Sequence, residues 1–121
     1  MDTFFSITVT IGKNIGATPM PHQLWSRFQA DVSAALNKRV ISAPEWAGTE
    51  FHYGRGEYTN SDGVTVSEIS CKITRLAERF NVTGIDAQLR EIAVRYQQED
   101  IAFTWGRSYV SGGVESQHVS A

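Results

Sequence analysis

Along the chain, Phe5, Ile7, Val9 and Ile11 alternate with Ser6, Thr8 and Thr10. A period of two with β-branched residues on both sides predicts a strand whose apolar set meets a core. Leu24, Phe28, Val32 and Leu36 then recur every four residues, and Trp25 and Ala35 widen the stripe. That spacing predicts an amphipathic helix from about Pro19 to Asn37, with Thr18 as its N-cap and Pro19 and Pro21 in the first turn. Gly48 to Tyr58 and Val64 to Ile73 read as two strands around Thr59-Asn60-Ser61-Asp62-Gly63, a hairpin whose Gly63 follows an aspartate and tolerates positive φ. On the second arm, Val64 and Val66 are out of phase with Ile69, Cys71 and Ile73. The switch near Ser67-Glu68 implies a β-bulge or a split between two pairings. Residues 74–82 lack a clear period and read as an irregular connector. Thr83-Gly84-Ile85-Asp86 has capping-box spacing, and Ile85, Leu89, Ile92, Ala93 and Tyr96 form the stripe of a second helix to about Gln98. Ile101, Phe103 and Trp105 alternate with Ala102 and Thr104 in a last strand.

The order β-α-β-β-α-β, with right-handed crossovers, predicts a ferredoxin-like α+β domain: a four-stranded antiparallel sheet with both helices on one face. Residues 1–110 make this single domain, and 111–121 read as a flexible tail. The uncovered sheet face would hold Ser6, Thr8 and Thr10 and one side of the hairpin. Such a face predicts pairing with a second copy, a dimer or higher homo-oligomer, or with a ligand. Trp46 is expected to pack in the core, with a ligand platform as the alternative.

A chain of 121 residues with 41% hydrophobic and 20% charged residues can bury a core without disulfides or metal. Net charge −2 and a pI near 5.9 argue against a general nucleic-acid binder, which needs a basic face. The single cysteine, Cys71, points into the core with Ile69 and Ile73 and suits a reducing compartment. The first residues carry no basic segment followed by a long apolar run, and no run reaches a membrane span of about 20 residues. These features predict a cytoplasmic protein that does not engage a membrane.

Candidate chemistry is sparse. Gly12 and Gly16 precede a helix, but their spacing is wrong for a phosphate loop, and a plain strand-to-helix turn is expected, with an anion-binding loop as the alternative. His22, His52 and His118 are scattered, and no metal-ligand spacing or nucleophile elbow appears, so no metal, cofactor or catalytic residue is assigned. His52 with Glu50 or Glu57 is the best catalytic pair, and such a pair is more often a solvated contact. Arg55 and Arg107 each lie beside a glycine and near Tyr53, Tyr58, Trp105 and Tyr109. Guanidinium groups and aromatic rings suit an anionic planar ligand. Tyr53, Arg55, Tyr58, Trp105 and Arg107 are therefore the expected ligand-binding residues. Gly54 and Gly56 strip one face of the first hairpin arm of side chains, marking a bend or a close approach.

The stretches Ile7-x-Val9-x-Ile11-Gly12-Lys13-Asn14-x-Gly16, Pro19-Met20, Trp25-x-x-Phe28 and Gly54-x-Gly56-x-Tyr58 resemble those of small proteins of unassigned activity encoded by phages of actinobacteria. The resemblance extends to about Trp105 and implies a small accessory protein made in the host cytoplasm during infection. Together with the arginines, it makes the leading expectation a non-enzymatic, oligomeric binder that sequesters a small anionic ligand such as a signalling nucleotide in counter-defence. The alternative is an inhibitor or adaptor that engages a host protein through the open sheet face; a small enzyme using His52 comes third.

Overall fold

The computed structural model describes residues 4–108 and 114–120, with the side chains of 4–108 and of Val119. It is an α+β structure with two helices and an antiparallel sheet. The sheet is built on β1 (Phe5–Gly12), β5 (Thr49–Thr59), β6 (Thr65–Ala77), β8 (Asp100–Arg107) and β9 (Val114–Ser120), in the order β5-β6-β1-β8-β9. All four pairings are antiparallel. The four expected strands are present. The fifth, β9, falls in the stretch expected to be a tail, where it lies along β8 with Ile101 opposite Val119. Two short ribbons complete the described structure: β2 (Asn14–Ile15) with β3 (Thr18–Pro19), and β4 (Val40–Ser42) with β7 (Arg79–Phe80). The latter gives order to the expected irregular connector.

Helix α1 spans His22–Arg39 and starts later than expected. Pro19 is drawn into β3, and Pro21 is the N-cap residue, with no side-chain cap. Helix α2 spans Val82–Arg95, and its cap is Asn81 rather than Thr83: the Asn81 side chain accepts the Gly84 N–H at 2.9 Å. Thr83 sits inside the first turn, so the capping-box spacing placed the start two residues late. At its other end α2 closes with the Gln97 N–H on the Val94 carbonyl and the Gln98 N–H on the Ala93 carbonyl. That is a Schellman pattern, with Gln97 at the left-handed position, φ 54°.

The alternation read from β1 is real: Ile7, Val9 and Ile11 are buried, while Ser6, Thr8 and Thr10 are half-buried. Phe28, Val32 and Leu36 of α1 and Ile85, Leu89 and Ile92 of α2 pack into the same cluster as Ile7, Val9, Cys71, Ile73, Ile101 and Phe103. Phe28 and Tyr96 stack at 4.6 Å between ring centroids. Each such fully buried large side chain is worth roughly 1.5–3 kcal/mol of transfer free energy. Trp46 departs from its expected place in the core: it is 73% exposed and touches Phe4 edge-on at 6.3 Å. The short loop between β4 and β5 gives it no wall to pack into.

The hairpin is as the turn residues indicate. The Asn60 side chain accepts the N–H groups of Asp62 and Val64, and Gly63 adopts φ 78°. The phase switch on β6 is a split between pairings, not a bulge. The β5–β6 register runs unbroken from Thr49↔Arg75 to Thr59↔Thr65, whereas β1 joins β6 only from Gly12↔Ser70 onward. Ser67 and Glu68 thus lie just beyond the end of β1, which is what leaves room for a site there.

Candidate active site

Where β1 ends, three separate parts of the chain meet. The ribbon β2–β3 turns back at Gly16, which takes φ 61°. The hairpin β5–β6 brings Tyr58 and Glu68, and the corner between α2 and β8 brings Gln97, Gln98, Glu99 and Asp100. Together they line a pocket of about 590 Å³.

Glu68 is held in place from two sides. The carboxylate accepts the Asn14 backbone N–H at 2.9 Å, a bond that links residues 54 positions apart. Beneath it lies Gly12: a Cβ on Gly12 would stand 2.5 Å from Glu68 Cδ and Oε2. A glycine is therefore required at that position for the carboxylate to sit where it does. Asn14 is itself buried, and its side-chain amide donates to the Ser67 carbonyl at 3.2 Å. Gln98 is buried too and donates from Nε2 to the Asn14 carbonyl at 3.0 Å and to the Tyr96 carbonyl at 3.2 Å. Tyr58 closes the other side, its hydroxyl donating to the Gly16 carbonyl at 3.1 Å.

Among the described residues, the lining contains three carboxylates, Glu68, Glu99 and Asp100, and no lysine, arginine or histidine. A site of that composition favours a cation, or neutral hydroxyls that donate to carboxylate oxygens, and repels a phosphate.

The five expected ligand-binding residues do not share one place. Tyr58 alone lines the Glu68 pocket. Tyr53 leans on helix α1, its hydroxyl donating to Gln29 Oε1 at 2.6 Å. Arg55 is exposed and donates to Ser67 Oγ at 3.3 Å. Trp105 and Arg107 lie at the start of β1, opposite Ile7 and Phe5, in a separate cleft of about 520 Å³ that includes Phe80 and Arg79. The length of β1 puts that cleft roughly 24 Å from the pocket. Arginine and aromatic residues near one another in sequence are thus dispersed by the antiparallel register. The expected catalytic pair is a surface contact: His52 Nε2 is 3.9 Å from Glu50 Oε2, with both side chains more than half exposed. Among the described residues, no group of three His, Cys, Asp or Glu side chains stands close enough to hold a metal ion. No described helix is long and apolar enough to cross a membrane.

Sequence reasoning passed over Glu68, Asn14 and Gln98. One signal was present: the Gly12/Gly16 pair before the helix, weighed as an anion loop. The turn does hold an anion through a backbone N–H, and that anion is the protein's own carboxylate.

No family model and no curated protein matches the chain. Solved structures do. A phage SAM lyase in complex with S-methyl-5'-thioadenosine superposes with TM-score 0.69 at 19% identity, covering 100% of this chain and 92% of its own. A phage SAM lyase in its apo state gives 0.66 at 24% identity, covering 98% and 90%. At this identity the likeness is one of fold. It agrees with the sequence resemblance in that both point to phage proteins. It also overturns the leading expectation. The end-to-end structural neighbours are an enzyme, so a non-enzymatic sequestering protein, and a chain with no catalytic role, no longer stand.

Proposed function

We propose that this protein is a small enzyme that cleaves S-adenosylmethionine, releasing S-methyl-5'-thioadenosine, and that Glu68 lies at the centre of its site. The observation that carries the reading is the Glu68 carboxylate held by the Asn14 N–H in a pocket whose described lining is acidic. The end-to-end fold likeness to phage SAM lyase supports it. S-adenosylmethionine carries a sulfonium, an ammonium and one carboxylate, so it enters as a net cation and suits an acidic pocket.

In the proposed step the bond between sulfur and the aminobutyryl chain breaks, and its electron pair stays with sulfur, which becomes a neutral thioether. No water is consumed. The four-carbon fragment balances internally: its own carboxylate oxygen closes on the carbon that leaves sulfur, so a lactone C–O bond forms as the C–S bond breaks and no proton has to be removed. The charge on sulfur therefore fades in the transition state. A carboxylate set against the sulfonium would hold the ground state more tightly than the transition state and slow the reaction. The substrate ammonium keeps its charge throughout, as do the ribose hydroxyls their donors. Those are the partners we assign to Glu68, with the Tyr58 ring as a wall for the flat base.

In this reading β1, β5, β6 and β8 form a ferredoxin-like sheet with both helices on one face, extended by β9. The protein acts in the cytoplasm of a phage-infected cell. It assembles as a homo-oligomer, supported by the exposed Phe51 and Tyr53 beside the free edge of β5.

The test is direct. Purified protein is incubated with S-adenosylmethionine and the thioether product is followed by chromatography. Product should form, and Glu68→Gln should raise KM at least tenfold, about 1.4 kcal/mol of binding. No product above the uncatalysed background, at enzyme concentrations matching the substrate, would end the proposal.

A further inference from the structure

Gln98 lines the pocket at its floor, and it is also the buried end of a chain of bonds that reaches Glu68. Its Nε2 donates to the Asn14 carbonyl at 3.0 Å. The amide on the other side of that residue, the Asn14 N–H, holds Glu68 Oε2 at 2.9 Å. The Asn14 side chain ties the same residue to the Ser67 carbonyl, immediately before Glu68. Both Asn14 and Gln98 are buried, at 5% and 8% exposure, so neither bond is exchanged freely for water.

The backbone before Gln98 is spent on this placement. Gln97 holds φ 54°, a left-handed conformation that a residue with a Cβ adopts at a cost of roughly 1–2 kcal/mol. The Schellman bonds from Gln97 and Gln98 to α2 fix the turn there. The effect is to send the Gln98 side chain back under the β1–β2 corner, where its amide also meets the Tyr96 carbonyl at 3.2 Å. A helix end that needed only to stop could do so with glycine and an exposed polar residue.

We propose that Gln98 is a positioning residue for Glu68, acting through the Asn14 peptide, so that the end of α2 sets where the pocket's carboxylate sits. The inference rests on the reading of the pocket as the S-adenosylmethionine site, but the bond chain is testable without turnover. The geometry couples a helix C-terminus to an acid 30 residues earlier on β6 by way of a turn 84 residues from Gln98.

The test uses the full chain with Gln98→Met, which keeps the length and removes both donors. The Asn14 amide proton, identified in a proton–nitrogen correlation spectrum, should move upfield as its bond to Glu68 lengthens. KM for S-adenosylmethionine should rise about tenfold with kcat changed by less than threefold, the pattern of lost ground-state binding. In a Glu68→Gln background the same substitution should add less than twofold to KM, because its route to substrate is already cut. A purely structural role would give equal effects in both backgrounds. Unchanged Asn14 amide shift and unchanged KM in folded Gln98→Met would overturn the proposal. If Gln98→Met does not fold, Gln98→Glu, which retains length and polarity but loses the donor, is read in the same three ways. Should the wild type cleave no S-adenosylmethionine, the functional reading falls. The amide shift, alone and with Glu68→Gln, still decides the bond chain.

Discussion

Gly12→Ala separates the stability of this fold from the integrity of its site. Gly12 is outside the left-handed region, so alanine brings no backbone strain. In a strand it removes the entropic handicap of glycine, a gain of roughly 0.5–1 kcal/mol. Against this, the new Cβ would stand 2.5 Å from Glu68 Cδ, whereas ordinary contact begins at 3.4 Å. The carboxylate must retreat by 3.4 − 2.5, about 0.9 Å. Moved straight away from its donor by that much, the 2.9 Å bond to the Asn14 N–H passes beyond the range of about 3.2 Å for N–H···O contacts. A bond to a charged group contributes roughly 1.5–3 kcal/mol when buried. Glu68 is half-exposed, so water replaces part of the loss, and about 1 kcal/mol is the better figure.

The two terms nearly cancel in stability. Gly12→Ala should therefore unfold within about 5 °C of the wild type, since 1 kcal/mol moves Tm by roughly 3–6 °C at this size. They do not cancel at the site, where water can replace part of the bond's energy but does not restore the carboxylate's position. KM for S-adenosylmethionine should rise by about tenfold, with serine at the same position as damaging as alanine. Differential scanning fluorimetry and product chromatography read the two halves on the same preparations. A variant that keeps wild-type KM would show that Glu68 does not need its observed position. One that unfolds more than about 10 °C lower would show that the Gly12 contact is chiefly structural.

Two further expectations concern the scaffold. Gln97→Gly relieves the left-handed Gln97 and should raise stability by about 0.5–1 kcal/mol, after allowing for the larger entropy of glycine in the unfolded chain; a lower denaturation midpoint would show that the Gln97 side chain holds the turn. Alkali should weaken the fold. Burial raises the Tyr96 hydroxyl above its ordinary value, and its 2.5 Å bond to Asp31 Oδ2 adds to this; burial also raises the Cys71 thiol and the Tyr53 hydroxyl. Each holds its proton more tightly folded than unfolded, so stability is intact below the unfolded values of roughly 8.5 and 10 and is lost as pH rises through the folded ones. The urea midpoint should fall steadily above about pH 9, with less fall in Tyr96→Phe, and a midpoint flat from pH 8 to 11 would refute the assignment.

The two helices, the hairpin and four strands of the antiparallel sheet were legible because each is written in local periodicity. Leu24 to Leu36 and Ile85 to Tyr96 name their own faces. The fifth strand was not, because Val114 and Val119 fall in opposite phases and the four residues between them are polar, which makes no period. Its pairing comes from the free edge of β8, which is information about another part of the chain. Asn81, which the capping-box spacing did not point to, caps α2 because its side chain reaches the Gly84 N–H and leaves Thr83 inside the first turn.

The site was harder for a deeper reason. Arg55, Arg107 and the tyrosines drew attention because charged and aromatic side chains carry recognisable chemistry. The site depends instead on where backbone groups lie. The Asn14 N–H, the Asn14 carbonyl and the missing side chain of Gly12 are what hold Glu68, and a peptide unit has the same letter code wherever it points. The donors and acceptors that fix the acid are 54 and 84 residues apart along the chain from their partners. What makes them neighbours is the antiparallel register that ends β1 at Gly12↔Ser70 while β6 runs on. In the proposed reading, a reaction whose substrate supplies its own reacting groups needs little more than this: an acid held in the right place and a wall. Such a site leaves few marks in a sequence, and Gly12, read as a requirement of Glu68 rather than of its own backbone, is the clearest of them.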